Sequence, residues 1–182
     1  FELGFAFPYY GDVYTEVSIC TNGFITFENT SADPYSNDPL PSTGSPDLMV
    51  APFWDDMNPS QGGDIYRYHD VANGRYIVQW DNVPHFFDSG NYTFQVLLYE
   101  SGVIVFQYQE FTDGSSVTVG IENADGTDGL GILYNSPGYL QEGMAILVSA
   151  GSLVPWLDYQ PIAGTVGPGG MQFFCNDTAA TE

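Results

Sequence analysis

The sequence predicts an all-β protein, an antiparallel β-sandwich with a C-terminal extension, and three observations support this. Apolar and polar residues alternate with a period of two in several short runs, which is typical of strands with one buried face. Gly (21) and Pro (12) are frequent among the 182 residues, so turn-forming residues separate these runs at short intervals. Aromatic residues make up 16% of the chain, whereas Lys and Arg together number two. No stretch predicts a helix of ordinary length.

A β-hairpin over residues 13–27 is the clearest element of the N-terminal part. Apolar and polar residues alternate from Val13 to Cys20. Thr21-Asn22-Gly23 follows, and Asn-Gly tolerates the positive φ angles of a tight hairpin turn. This pattern predicts one buried face on the first strand and places Cys20 on its outer face.

The remaining elements follow from the same pattern. Residues 1–10 predict a first strand, and the Pro-rich residues 28–47 predict a long loop draped over the domain. Residues 48–54 predict a buried segment that ends in two acids at the surface, Asp55 and Asp56. Further strands are predicted at residues 64–69, 75–80, 92–99, 103–109, 117–121, 130–134 and 144–148.

The charge of the chain excludes one class of partner. The formal net charge is −21, from 23 acidic residues against two arginines and no lysine. Binding to phosphate backbones needs cationic side chains, so we expect no nucleic-acid partner. An acidic, solvated surface and a set of acids that bind divalent cations both remain open as explanations. No apolar run approaches the roughly 20 residues needed to cross a bilayer, so no membrane insertion is expected.

Compartment is indicated by the cysteines and the sequons. Because the chain starts at Phe1, we expect either a processed mature form or a missing upstream piece. Cys20 and Cys175 lack metal-ligand spacing, which favours a disulfide in an exported protein, within one chain or between two. Sequons at Asn29, Asn91 and Asn176 are candidate glycosylation sites on the same assumption.

Several short motifs together resemble a known family. They are Thr21-Asn22-Gly23-Phe24, Ala51-Pro52-Phe53-Trp54-Asp55-Asp56 and Gly120-Ile121-Glu122-Asn123. In combination they resemble the nidogen-like (NIDO) domain of bacterial extracellular and surface proteins, over about residues 1–149. The resemblance implies an extracellular, non-enzymatic β-rich module of adhesive or matrix-forming proteins, and it implies no defined ligand site.

Residues 150–182 form a C-terminal tail that is rich in apolar side chains, from Leu153 and Trp156 to Phe173 and Phe174. Its first part resembles the start of an immunoglobulin-like repeat. Exposure of such a set to water is costly, so we expect the tail to be covered. It packs on its own domain, adds a strand to a neighbouring subunit, or is the linker of a further domain, and all three remain open.

Catalytic and metal chemistry have few candidates. His69 and His85 stand in no nucleophile or metal pattern, and Asp55 and Asp56 are a poor acid/base pair because adjacent strand residues point in opposite directions. The loop with Asn123, Asp125 and Asp128 has the oxygen-rich composition of a Ca²⁺ site or of an Asp-Gly turn. Asp55, Asp56 and Asp64 are weaker candidates for the same ion. Tyr9, Tyr10, Tyr66 and Tyr68 are predicted on outer faces, where such aromatics either stack on sugar rings or, more often, form ordinary cross-strand pairs.

The sequence therefore predicts a non-enzymatic extracellular structural module without a cofactor. We expect it to assemble head to tail into a fibre or matrix by adding residues 171–175 to a neighbouring sheet. The alternative is a monomeric adhesion or carbohydrate-binding module, assisted by calcium.

Overall fold

A computed structural model describes residues 1–44, 46–87 and 90–149, and the described chain is all-β. The tail, with Cys175 and Asn176, lies outside the described residues, so the predictions made for it stay predictions. Twelve strands are present within the described ranges: β1 Glu2–Tyr9, β2 Asp12–Glu16, β3 Ser18–Ile19, β4 Ile25–Thr26, β5 Met49–Trp54, β6 Asp64–Asp70, β7 Arg75–Pro84, β8 Asn91–Tyr99, β9 Ile104–Phe111, β10 Thr118–Glu122, β11 Gly129–Tyr134 and β12 Ala145–Val148. Short 3₁₀ turns at Pro59–Gln61 and Val71–Asn73 flank β6.

Two five-stranded antiparallel sheets form the sandwich. The first has the order β11-β10-β5-β4-β3 and the second the order β12-β9-β8-β7-β6. Strands β6 to β9 follow one another as hairpin neighbours, because the turns between them are short and the chain returns beside itself. The predicted strands from residue 64 onward are thus confirmed.

Apolar side chains from both sheets meet in one core. The Phe53 ring of β5 stacks on the Phe94 ring of β8 with centroids 5.0 Å apart, and Trp80 of β7 stacks on Phe94 at 4.9 Å. Side chains of this size contribute roughly 1.5–3 kcal/mol each when fully buried. Twelve of the chain's 29 aromatic residues are buried in the described ranges, so aromatic side chains are a main component of the core.

Strand β5 is buried along its whole length although it contains Pro52. Proline has no N–H for a ladder hydrogen bond and is tolerated in a sheet mainly at edges or bulges. The pairing of β5 with β10 shifts register between Thr118 and Gly120, opposite Pro52. Pro52 instead uses its carbonyl, which accepts a 2.7 Å hydrogen bond from the Tyr108 hydroxyl of the other sheet.

The first strand of the predicted hairpin differs from expectation. The chain forms β2 and the two-residue β3 instead of one long strand, and β2 pairs with β1 in a separate two-stranded sheet. Val13 is 62% exposed, whereas Val17 is buried. The predicted buried face on this strand was wrong over β2, because β2 pairs with β1 and turns Tyr14, not Val13, toward the core. The hairpin turn itself is confirmed, as β3 pairs with β4 across residues 20–24.

Candidate functional site

The turn of the β3–β4 hairpin ties together three parts of the chain. Gly23 has φ +81°, and an added Cβ would lie 1.9 Å from the Phe53 carbonyl oxygen, so only glycine fits here. The buried Asn22 side chain donates from Nδ2 to Asp33 Oδ1 at 2.8 Å and accepts from the Met57 backbone N–H at 2.8 Å. The turn is therefore a structural junction between the hairpin, the loop and the segment after β5.

Cys20 lies in this turn, and its position corrects a prediction. The side chain is 7% exposed and packs in a small cluster with Phe24 and Trp54, not on an outer face. The loop over residues 28–47 folds across it, where the Trp54 indole donates to the Pro34 carbonyl at 2.9 Å. The sequence pattern failed because β3 ends at Ile19, so the alternation of a strand no longer sets the direction of Cys20.

The thiol of Cys20 donates a hydrogen bond to the Asp33 carboxylate, with Sγ and Oδ1 2.7 Å apart. Burial raises the pKa of the thiol, and the hydrogen bond to Asp33 raises it further. The thiolate is the reactive form of cysteine, so this side chain is poorly reactive in the folded domain. The predicted disulfide with Cys175 stays a prediction, and it would require the Asp33 segment to move aside.

Asp55 and Asp56 lie at the same end of the molecule. Asp55 is buried, which the prediction of two surface acids did not expect, and it accepts from the Ser116 hydroxyl at 2.7 Å. His85 Nε2 lies 3.5 Å from Asp55 Oδ1. Asp56 is half-buried; burial raises the pKa of its carboxyl, and nearby His85 lowers it. The sequence did not indicate the burial of Asp55, because two adjacent acids at the end of an apolar run are typical of a surface position.

An open groove of about 540 Å³ runs beside this turn. Its aromatic rim consists of Tyr35, Phe86 and Phe87, which are 66%, 46% and 81% exposed. Asp33 and Asp56 supply carboxylates to the same groove. The sequence analysis did not predict this site. The two adjacent aromatic residues at 86 and 87, just after the end of a strand, could have indicated it. Rings beside hydrogen-bonding acids form a surface suited to sugars or other polar ligands.

The loop with Asn123, Asp125 and Asp128 lies at the other end of β5, where the Leu48 N–H donates to the Asn123 carbonyl. Asn123 Oδ1 accepts from the backbone of Thr127 at 3.0 Å and of Asp128 at 3.1 Å. Asp125 accepts from the Thr127 hydroxyl, which lowers the pKa of the Asp125 carboxyl. These side-chain oxygens accept hydrogen bonds from groups within the loop itself, as in an Asp-Gly turn. In the described part of the chain no three His, Cys, Asp or Glu side chains group to hold a metal. The calcium site stays a prediction.

A buried acid near this loop was not foreseen. Glu122 is 1% exposed, and burial raises the pKa of its carboxyl to about 7, against a hydrogen bond from the Ser42 backbone N–H that lowers it. The Tyr9 hydroxyl lies 2.9 Å from the Glu122 carbonyl and 2.8 Å from the Met49 carbonyl. The expectation that Tyr9 is an exposed sugar platform was therefore wrong, because Tyr9 is buried at 5% exposure.

The other predicted residues lie as follows. Tyr10, Tyr66 and Tyr68 are 40%, 53% and 63% exposed, as expected of outer-face aromatics. The sequon asparagines Asn29 and Asn91 are both exposed. His69 is half-buried in β6, with its ring 5.7 Å from the Phe5 ring.

The comparisons with known proteins agree with this architecture. The family model described as NIDO related matches residues 1–147, most of the chain. No solved structure matches. Across the ranges that the structure describes, no helix has the length and apolar character to span a membrane. The chain therefore belongs to the NIDO-related family, which indicates an extracellular module.

Proposed function

We propose that this chain is a non-enzymatic structural module of an extracellular fibre or matrix, and that neighbouring subunits join by β-strand addition. The observation that carries the proposal is the edge strand β6. Within the described residues β6 pairs only with β7, and at seven residues it is the longest of the four edge strands of the five-stranded sheets.

The geometry of β6 suits an acceptor strand. An edge strand presents a row of N–H and C=O groups that a further strand pairs with readily. Tyr66 and Tyr68 are exposed on one face, where a partner strand gains side-chain contacts. The Arg67 guanidinium lies 4.2 Å from the centre of the Phe1 ring, so β6 contacts the residue that precedes β1.

The proposed donor is residues 171–175, which lie outside the described residues. Met171, Phe173 and Cys175 recur with a period of two, as a strand with one apolar face requires. The net charge of −21 opposes association of subunits, so assembly is expected to strengthen as salt screens this repulsion.

The test is sedimentation velocity of the full chain across a salt series. Wild type is expected to form oligomers that grow with protein and salt concentration, and the double variant Tyr66→Lys/Tyr68→Lys is expected to remain monomeric, because charges protect an edge. The matched control is Tyr35→Lys/Tyr139→Lys, which makes the same charge change at exposed positions outside the strands. The proposal would be contradicted if wild type stayed monomeric at all salt concentrations. It would also be contradicted if both double variants lost their oligomers to the same extent.

Covalent locking is a separate question with a separate measurement. If Cys20 and Cys175 join neighbouring chains, a ladder should survive detergent without reductant and collapse with it. Oligomers that dissociate equally in both lanes would leave strand addition standing and remove the interchain disulfide.

A second function is favoured by the aromatic groove beside the hairpin turn. Tyr35 and Phe87 are the most exposed of its rings, and sugar rings stack on such faces. We infer a monomeric adhesion module that binds carbohydrate in this groove as the alternative to the fibre.

Retention on insoluble polysaccharides tests the alternative. Tyr35→Ala/Phe87→Ala is expected to lose retention, while Tyr66→Ala/Tyr68→Ala is expected to keep it. The same assay with EDTA tests the predicted calcium dependence. Retention that both double variants keep would contradict binding in the groove.

A further inference from the structure

An apolar groove of about 280 Å³ lies between the β1–β2 turn and the ends of β10, β11 and β12. Its apolar lining includes Tyr10, Ile104, Ile121, Leu130 and Val148. Leu130 is 48% exposed and Tyr10 is 40% exposed, so these two side chains face solvent in the described part of the chain, whereas Ile104, Ile121 and Val148 are already buried. Open apolar surface of this kind is stabilised when another segment covers it.

The chain itself leaves from the rim of this groove. Val148 and Ser149 line it, and they are the last residues that the structure describes. The sequence then continues as Ala150-Gly-Ser-Leu-Val-Pro-Trp-Leu157. At roughly 3.4 Å per residue, Trp156 reaches any part of a groove that begins at Ser149. A tethered segment acts at an effective concentration of about millimolar or above, without a second molecule.

Charge favours this segment over one from another copy. The groove lies in an acidic environment: burial raises the pKa of Tyr10, and the carboxylates of Asp128 and Glu122 raise it further. Residues 150–157 contain no charged side chain, so they bring no like charge into the groove, and the first acid, Asp158, follows the segment. A second copy would bring a net charge of −21 to the same face.

We propose that residues 153–157 of the same chain dock in this groove and cover Tyr10 and Leu130, with Trp156 as the main apolar contact. The proposal goes beyond the fibre function and does not depend on it. With residues 153–157 docked, the rest of the tail would start from one fixed point on the domain.

Acrylamide quenching of tryptophan fluorescence tests the docking directly. The chain has three tryptophans, and Trp54 and Trp80 are 5% and 0% exposed, so quenching reports mainly on Trp156. We expect weak quenching in wild type and an increase of about twofold or more in Leu130→Glu, because the groove no longer shields the indole. Trp156→Phe should remove that increase in the Leu130→Glu background.

The controls separate docking from unfolding and from association. Leu147→Glu adds the same charge at an exposed position of β12 that does not line the groove, and it should leave quenching unchanged. Tyr10→Glu is a second groove variant in case Leu130→Glu does not fold, as judged by circular dichroism. Strong quenching of Trp156 in wild type would overturn the proposal. Quenching that rises on dilution of wild type would also overturn it, because the occupant would then be a second copy.

Discussion

The buried Cys20 thiol donates a hydrogen bond to the carboxylate of the exposed Asp33, with Sγ and Oδ1 2.7 Å apart, and this bond ties the long loop to the hairpin turn. Asp33 also accepts from the Thr21 hydroxyl and the Asn22 amide, so one carboxylate holds three consecutive residues of the turn. The arrangement keeps the thiol protonated and covered. The loop segment with Asp33, and not the sheet, therefore separates the Cys20 thiol from any partner sulfur.

The first prediction concerns the reactivity of Cys20. In a Cys175→Ser background under reducing conditions, we expect native alkylation of Cys20 to be at least about tenfold slower than in urea, because the thiol is buried. Asp33→Ala should accelerate native labelling, since it releases the loop from the turn. Asp38→Ala is the matched control for an exposed loop acid. Mass spectrometry of the intact chain measures the labelling, and equal native and denatured rates would refute the arrangement.

The second prediction uses two glycines with similar backbone angles. Gly23→Ala should destabilise the domain by about 3 kcal/mol or more, because strain at φ +81° adds to a clash with the Phe53 carbonyl. Gly11 has φ +90°, and a Cβ added there would meet no atom of the described residues within 4 Å, so Gly11→Ala should cost only about 1 kcal/mol. Urea unfolding of both variants compares the costs. Similar losses would mean that the turn is not closely packed on β5.

The third prediction concerns the pH dependence of stability. The pKa of Glu122 is about 7 in the folded chain, above its ordinary value of 4.5, so the folded state holds the proton more tightly than the unfolded state. Stability from this group is therefore lost as pH rises from about 4.5 to about 7. Asp47 and Glu28 add to the rise of this pKa through their charges, after burial.

Replacement of the carboxyl tests this sign. Glu122→Gln should match wild type near pH 4.5 and exceed it by about 1–3 kcal/mol at pH 8, on the scale of roughly 1.4 kcal/mol per pKa unit. Glu110→Gln removes the same charge at an exposed site and should show no such trend. Thermal unfolding between pH 4 and 8 gives the comparison. A Glu122→Gln variant that loses stability at pH 8 would show that the charged carboxylate is needed.

The fourth prediction compares two buried tyrosine hydroxyls. Tyr108→Phe removes the hydrogen bond to the Pro52 carbonyl and should cost about 1–2 kcal/mol. The Tyr76 hydroxyl is buried without a hydrogen-bond partner in the described residues, so Tyr76→Phe should be neutral or slightly stabilising. Denaturant unfolding measures both. Equal destabilisation would mean that the Tyr108 bond contributes nothing specific.

The local patterns of the sequence were sufficient for the regular part of the fold. From Asp64 to Tyr99 the strands and turns follow from alternation and from short Gly-containing connections, because each strand pairs with its sequence neighbour. The buried segment Met49–Trp54 and the turn at Gly23 were also foreseen, since an apolar run and an Asn-Gly pair are local signals. These features need no knowledge of distant residues.

The candidate sites depended on contacts that no local pattern contains. Cys20 is covered by residues 33 and 34, and the Tyr9 hydroxyl contacts a carbonyl 113 positions away, so the alternation of their own strands did not determine their exposure. The groove formed by Tyr35, Phe86 and Phe87 brings two separate segments together with the turn and with Asn58. Side chains that meet only after folding leave no common signal in the sequence.

The sequence by itself determined the all-β class, the strand positions after residue 64, the acidic character and the family, because these rest on periodicity, composition and short motifs. Only the tertiary structure decided that Cys20, Asp55 and Glu122 are buried, that β6 ends its sheet, and that an apolar groove lies where residue 149 leaves the domain. Burial and strand order are properties of the packed sheets. They arise from contacts between residues far apart in the chain. Those contacts stabilise the fold only once the distant segments have packed, so no single segment predicts them.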